Sequence, residues 1–316
     1  MLESMKRTLN YGLYDYDRQK ANLLKAIFPF LIIIHHLEKY NLLGIEAFSW
    51  IGIRVMYLFF AMSGYGLVIS YIKRPGYIDG FLRRSLPKLF IPYLIIFILF
   101  VIYRHLEGVD QIELFKSVGL LSFIPTSWFI YVLSLFYIFF YVIFKYVKSS
   151  SAIKVLLTSA LVLVYCVIAP YIGIAFWRYN KCPAFVIGMV FALVNSSIRE
   201  KFVRWQALVC VGFFCVFINM PLGLKLDPYL YSSIMFLLMF CLPYRGTRIG
   251  SVVNFFSSIS LEMFIVQYIP IYLVMDHLVF NKSYTSTAII IILVLLLDVF
   301  LAYVVNKIVQ KLKCQL

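Results

Sequence analysis

Charged side chains are scarce in this chain, and acidic ones are the scarcer kind. Charged residues make up 14% of the 316 residues, whereas an ordinary soluble domain carries about a quarter. Hydrophobic residues make up 63%, and the mean hydropathy is +0.92. So few polar groups cannot cover a soluble surface. The composition therefore excludes a soluble globular protein and predicts an integral membrane protein.

Cysteine and histidine are too few and too scattered to predict a metal centre or a disulfide framework. The six cysteines form no CxxC motif, and none pairs with one of the four histidines at metal-ligand spacing. Most lie within apolar stretches, where cysteine acts as a small packing residue. Residues 1–20 are polar and no small-residue cleavage site follows the first apolar run, so we also expect no cleaved signal peptide.

The positive charge of the chain is not distributed as in a nucleic-acid-binding protein. Lysine and arginine number 29 against 14 acidic residues, which gives a net charge of +15. These basic residues form short clusters between apolar stretches, a distribution typical of membrane faces. The expected partner is therefore the lipid bilayer and not a nucleic acid.

Long apolar runs are abundant, and they predict an all-α fold, a polytopic bundle of about ten membrane-spanning helices. The predicted spans are 22–39, 50–72, 89–104, 127–147, 152–171, 182–196, 205–220, 228–243, 252–275 and 285–306. No internal repeat or composition break divides the chain, so we expect one membrane-embedded domain over 1–316, with cytoplasmic ends at 1–21 and 307–316. With both termini cytoplasmic, 21 of the 29 basic residues fall on the cytoplasmic side, as the positive-inside rule requires. A short interfacial helix is expected within 73–88.

The first span carries the strongest candidate for chemistry. Lys25 and His36 are eleven residues apart, so they share a helix face at about 16 Å separation along the axis. His35 points about 100° away from that face and is expected to serve no common pocket with His36. A histidine at this depth is costly without a function or a partner. An interfacial histidine that touches lipid headgroups is an equally good interpretation of His36 from the sequence.

Two further patterns follow along the chain, and each also has an ordinary structural interpretation. Ser63 and Gly64 near the end of span 2 are small, which suits close helix packing. Arg83, Arg84 and Lys88 form a basic run that can hold phosphates. The alternative interpretation of this run is cytoplasmic charge beside anionic lipid.

Aromatic and cationic residues mark the predicted outer side. Trp128 opens span 4, and Trp177 and Arg178 lie in another outer loop. Aromatic rings beside polar groups suit a sugar acceptor, although membrane interfaces also favour tryptophan.

Acidic side chains occur within two late spans. Glu262 and Asp298 should face the bundle interior, and Gln267 lies five residues beyond Glu262. They fit either a chemical role or a purely structural one that joins helices.

The order of these motifs resembles the acyltransferase family 3 membrane proteins, and the resemblance covers most of the chain, from about residue 21 to span 9. The matching elements are Lys25-Ala26-Ile27 with His36; Phe59-Phe60-Ala61-Met62-Ser63-Gly64-Tyr65; Arg83, Arg84, Lys88, Pro92 and Tyr93; Trp128-Phe129-Ile130; and Phe185, Gly188 and Met189. Two positions depart from the family pattern. Ser85 stands where the family has an inner arginine, and Gln267 replaces a histidine.

The resemblance implies a membrane O-acyltransferase that moves an acyl group, most often acetyl, from cytoplasmic acyl-CoA to a hydroxyl of a surface or lipid-linked glycan. His36 would be the general base, with Lys25, Arg83, Arg84 and Lys88 binding acyl-CoA. A covalent acyl-imidazole on His36 is the alternative mechanism, and the sequence does not separate the two. Ser63 and Tyr65 are candidate oxyanion donors. The expected location is the cell (inner or plasma) membrane, with no metal involved. A transporter or flippase for a small metabolite or lipid-linked sugar is the alternative function.

Overall fold

The computed structural model describes residues 2–42, 44, 46–110, 123–193, 250–277 and 284–315. Across these ranges the structure is helical and contains no strand, which confirms the all-α prediction. Six of the described helices are long and apolar enough to cross a membrane. The predicted spans 205–220 and 228–243 and the end of 182–196 lie outside the described residues, so the count of ten and the orientation of the termini stay predictions.

The helices occur in the following order. They are α1 (Leu2–Glu38), α2 (Glu46–Lys73), α3 (Phe81–Leu106), α4 (Ser127–Tyr146), α5 (Ser151–Ile168), α6 (Phe176–Tyr179), α7 (Pro183–Phe191), α8 (Gly250–Ser258), α9 (Ser260–Val266), α10 (Tyr268–His277) and α11 (Tyr284–Gln315). A short 3₁₀ helix, Ala169–Ile172, follows α5. The first span is thus the second half of a longer helix that already begins at Leu2.

The basic run does not form a separate interfacial helix, so that prediction is wrong. Gly80 adopts φ 62°, a left-handed conformation that glycine tolerates, and α3 then continues from Phe81 to Leu106. Pro87 and Pro92 lie inside this helix. Prolines are tolerated in membrane helices because neighbouring groups satisfy the freed carbonyls. The basic run therefore occupies the first turns of α3.

The predicted span 252–275 is not one helix but three, which is a second correction. The chain breaks at Ile259 between α8 and α9, and at Gln267 between α9 and α10. Pro270 accounts for the second break. Its nitrogen has no hydrogen to donate to the Val266 carbonyl, and its ring clashes with that carbonyl.

Helix α1 packs against α2, α8, α9 and α11. The most extensive contact in the described bundle joins α2 and α7. Gly64 and Gly188 face each other's helices there: a Cβ on Gly64 would strike the Phe185 carbonyl oxygen, and one on Gly188 would strike the Ala61 carbonyl oxygen. The predicted packing role of Gly64 agrees with this geometry.

Polar side chains within the membrane face the interior, as expected. Glu262 is 4% exposed, and its Oε1 accepts a hydrogen bond from Asn306 Nδ2 at 2.9 Å. This bond joins α9 to α11, so Glu262 connects two helices. Asp298 is fully buried on α11, and neither carboxylate oxygen has a hydrogen-bond partner among the described residues.

The close crossing of α2 and α7 predicts that alanine is not tolerated at position 64. Gly64→Ala should lower the thermal stability of the detergent-purified protein, because a backbone carbonyl cannot move aside as a side chain can. Overpacking of this kind costs roughly 1–3 kcal/mol. Gly66→Ala on the same helix is the matched control, since a Cβ there meets nothing within 4 Å. Equal stability of the two variants would contradict this account of the crossing.

Candidate functional site

Two cavities lie at opposite ends of the membrane-spanning part of α1, Arg18–Glu38, and one stripe of that helix lines both. The inner cavity, at the end predicted to be cytoplasmic, has a volume of about 300 Å³. Its lining comprises Arg18, Ala21, Lys25, Phe59, Met62, Ser63, Tyr65, Gly66, Leu67, Ile69, Ser70, Tyr77 and Tyr137. Polar hydroxyls and two cations therefore face a space between α1, α2 and α4.

The outer cavity has a volume of about 410 Å³ and contains His36. Its lining comprises Ile32, His35, His36, Lys39, Gly52, Ile53, Met56, Pro125, Thr126, Trp128, Trp177, Lys181, Phe264 and Tyr268. The residues come from α1, α2, α4, α6, α9 and α10 and the adjoining loops. Helices far apart in the sequence thus converge on the last turn of α1.

A cluster of phenylalanine rings separates the two cavities. Phe59 lines the inner cavity and Phe264 the outer one, and their ring centroids are 6.2 Å apart. Phe129 packs against both, at 6.1 Å from Phe59 and 5.2 Å from Phe264. Phe28 of α1 adds an edge contact to Phe59 at 5.1 Å. We call Phe28, Phe59, Phe129 and Phe264 the phenylalanine partition.

His36 has a specific partner that the sequence did not predict. The Tyr268 hydroxyl lies 3.1 Å from His36 Nδ1, and the two ring centroids are 4.9 Å apart. Tyr268 is the first residue of α10, immediately after the break at Gln267. The break that Pro270 imposes therefore coincides with the point where α10 meets α1. A proline four residues beyond Val266 was the available sequence signal.

His35 lines the same cavity as His36, contrary to the expectation from helix geometry. Its Nδ1 lies 3.2 Å from the Phe48 carbonyl oxygen, and its ring packs where Gly52 leaves room for it. The two imidazole centroids are 5.0 Å apart. The 100° offset does not separate His35 from His36, because the outer cavity extends around α1. Gly52 of α2 lies opposite and leaves room for the His35 ring.

The cations of the inner cavity differ in part from the predicted set. Lys25 lines the cavity as expected, and Arg18, seven residues earlier on the same helix face, lines it as well. Arg84 is exposed and donates from Nη2 to the Tyr77 carbonyl oxygen at 2.7 Å, which places it beside the cavity rim. Arg83 and Lys88 are exposed on α3 and are not among the lining residues.

The polar residues of the second span and the one at the helix break occupy two different places. Ser63 lines the inner cavity and donates to the Phe59 carbonyl oxygen at 2.8 Å within its own helix. Tyr65 lines the inner cavity too. Both lie across the phenylalanine partition from His36, so they are poorly placed as oxyanion donors beside it. Gln267 is fully buried, and its Nε2 donates to the Phe264 carbonyl oxygen at 2.6 Å.

Two of the three predicted acceptor-side residues line the outer cavity, and a lysine that was not predicted lines it beside them. The rings of Trp128 and Trp177 meet edge to face at 5.7 Å, and both line the outer cavity. Arg178 stacks over Trp177 at 4.8 Å but lines a neighbouring pocket with Tyr165. The side chain that enters the outer cavity beside the tryptophans is Lys181, which was not selected from the sequence.

Among the described residues, no group of three or more His, Cys, Asp or Glu side chains could hold a metal ion. The sequence model of acyltransferase family 3, described as an acyltransferase domain, matches residues 18–307. The chain belongs to this family. No curated protein and no solved structure shows a significant match.

Membership of acyltransferase family 3 implies a multi-pass membrane protein with acyltransferase activity. Of the two functions that the sequence left open, it supports the acyltransferase and not the transporter or flippase. The match covers α1 from Arg18 onward and most of α11.

The contact between His36 and Tyr268 predicts a selective defect in the variant Tyr268→Phe. Loss of the hydroxyl removes one hydrogen bond, worth about 1 kcal/mol, so kcat should fall several-fold to tenfold while KM for acyl-CoA stays unchanged. Steady-state kinetics in nanodiscs would measure this. Tyr272→Phe, one turn along α10, is the matched control. A change in KM alone would indicate that Tyr268 does not act through His36.

Proposed function

We propose that this family member transfers an acyl group, acetyl in the first instance, from cytoplasmic acyl-CoA to a hydroxyl of a cell-surface or lipid-linked glycan. The observation that carries the proposal is the single stripe of α1 on which Lys25 faces one cavity and His36 the other. This arrangement suits a reaction whose two substrates approach from opposite faces of the cell membrane.

The inner cavity is the proposed entrance for the donor. Arg18 and Lys25 supply positive charge at its wall, and Arg84 lies at its rim. Guanidinium and ammonium groups pair with the phosphates of coenzyme A. Arg83 and Lys88, on the exposed first turns of α3, extend this positive field toward the cytoplasm and raise the local concentration of an anionic donor.

The acyl end of the donor must then pass the phenylalanine partition to reach His36. About 16 Å of helix axis separates Lys25 from His36, a distance that the extended pantetheine arm spans. The four rings are packed at centroid distances between 5.1 and 6.2 Å. In the proposed reaction, rotation of these rings lets the acyl end of the donor pass toward His36.

His36 is the proposed general base. In this role Nε2 holds the free lone pair, so Nδ1 carries the proton and donates it to the Tyr268 hydroxyl oxygen. Nε2 takes the proton of the acceptor hydroxyl as its oxygen attacks the thioester carbonyl carbon. The tetrahedral intermediate then expels the thiolate of coenzyme A, which recovers the proton from the imidazolium. The products are an O-acyl ester and free coenzyme A.

The acceptor enters through the outer cavity, where Trp128 and Trp177 provide aromatic surface for a sugar ring. Gly64 lets α2 pack closely against α7, and Glu262 joins α9 to α11. Ser63 and Gln267 bond to carbonyls of their own chain segment, at Phe59 and Phe264. These residues are thus assigned to packing. The reacting atoms are proposed to meet on the outer side of the phenylalanine partition, at His36.

Replacement of the proposed base tests the mechanism. His36→Ala should lower glycan O-acylation by roughly 10²- to 10⁴-fold, the usual contribution of a positioned general base. The assay is transfer of radiolabelled acetyl from acetyl-CoA to membrane glycan, with matched protein levels.

His105→Ala is the appropriate control, because His105 is exposed at the end of α3, whereas His35 shares the cavity. Full activity of His36→Ala would refute the assignment. Movement of a glycan across the membrane without an acylated product would instead favour the transporter.

The donor cavity is tested by binding. Arg18→Ala and Lys25→Ala should each weaken acetyl-CoA binding about tenfold, since a charged hydrogen bond is worth about 1.5–3 kcal/mol. Arg84→Ala and Lys88→Ala should weaken it less and mainly at low salt, because exposed charges are screened.

Lys145→Ala is the control for donor binding. This lysine is exposed in the last turn of α4, at the end predicted to be cytoplasmic, and does not line the inner cavity. Calorimetry on the purified protein measures all five affinities. Unchanged binding in both the Arg18 and the Lys25 variants would exclude this cavity as the donor site.

A further inference from the structure

Lys181 is held in an unusual environment at the wall of the outer cavity. Its side chain is 4% exposed, and Nζ donates to the Trp177 carbonyl oxygen at 2.6 Å. The same Nζ lies 5.5 Å from the ring centroid of Trp128 and 5.9 Å from that of Trp177. Both rings therefore contribute cation–π attraction, which fixes the ammonium at one place in the wall.

Among the described residues that line this cavity, every charged side chain is basic. Lys39, Lys181 and two histidines line it, and no aspartate or glutamate is among its described lining residues. Burial lowers the pKa of Lys181 to about 8, and the positive charge of Lys39 acts in the same direction. The bond from Nζ to the Trp177 carbonyl oxygen and the two indole rings beside it suit the ammonium form, so the cavity wall carries a cation.

A buried cation without a paired anion is costly, and an ammonium has three N–H groups to satisfy. The structure shows one of these groups bound to the Trp177 carbonyl. The attraction of two indole rings and one carbonyl offsets only part of the desolvation cost, since cation–π contacts contribute about 0.5–2 kcal/mol each. An anion in the cavity would supply the remaining stabilisation and would use the remaining N–H groups.

We propose that the acceptor carries an anionic group, a carboxylate or a phosphate, which Lys181 binds while the acceptor hydroxyl faces His36. This inference rests on the proposed acyl transfer, because it names the substrate class of that same site. Lys39 adds long-range attraction at the mouth of the cavity, and Trp128 and Trp177 contact the sugar ring. Lys181 is then a specificity-determining residue, since a neutral acceptor leaves its charge unpaired.

Binding of matched sugars without acyl-CoA tests this inference independently of turnover. The probes are methyl β-glucuronide against methyl β-glucoside, and glucose 6-phosphate against glucose, titrated by calorimetry into the protein in nanodiscs. We expect the anionic member of at least one pair to bind about tenfold more tightly, as for a charge-assisted hydrogen bond. The pair that shows the preference identifies the carboxylate or the phosphate as the group bound.

Substitutions then assign the preference to Lys181. Lys181→Gln should abolish it, Lys181→Arg should retain it in large part, and Lys145→Gln, at the opposite end of the bundle, should leave it unchanged. Acetyl-CoA binding in the inner cavity confirms that each variant is folded. If Lys181→Gln is unfolded by this criterion, the comparison of sugars on the wild-type protein decides alone.

Two results would overturn the proposal. The first is equal affinity, or no affinity, for both members of each pair in the wild-type protein. The second is an anion preference that survives in folded Lys181→Gln. If that variant also shows an equal loss of kcat for neutral and anionic acceptors, Lys181 is an oxyanion donor instead. A failure of acyl transfer with the anion preference intact would refute the proposed function and leave the anion site standing.

Discussion

The packing of neighbouring helices against α1 is the constraint on which the rest of the site depends. A helix packed against α2, α8, α9 and α11 can offer polar groups to the interior only where its neighbours leave space. Those spaces fall at the two ends of the membrane-spanning part of α1, Arg18–Glu38, and Lys25 and His36 line one each. In a bilayer such groups are costly unless they meet a partner or a water-filled cavity. The packing around α1 therefore determines which of its polar residues can take part in chemistry.

The broken helix beside α1 supplies the hydrogen-bond partner of His36. Pro270 interrupts the hydrogen-bond ladder, and α10 begins at Tyr268 with its hydroxyl at His36. The preceding piece, α9, is joined to α11 by the bond between Glu262 and Asn306. One short stretch thus combines a structural link within the membrane with a contact to the candidate base. Irregular backbone at membrane depth is tolerated where it lines a cavity or is buried in protein.

The two cavities differ in character, and the phenylalanine partition keeps them apart. Hydroxyls, Arg18 and Lys25 face the inner space, whereas imidazoles, indoles and Lys181 face the outer one. Four rings packed together form a barrier between the two cavities. A barrier of this kind is compatible with a reaction between a water-borne donor on one side and a surface acceptor on the other.

The sequence by itself determined the membrane class, the helical architecture and the stripe on α1, because hydropathy and the 3.6-residue period are local properties. Acyltransferase membership was also readable from the motifs between Lys25 and Met189. Only the tertiary structure decided that Tyr268, 232 residues from His36, is its partner and that Lys181 enters the cavity in place of Arg178. It also decided that His35 shares the cavity. Such contacts depend on how distant helices pack and where one of them breaks, and no local period carries that information.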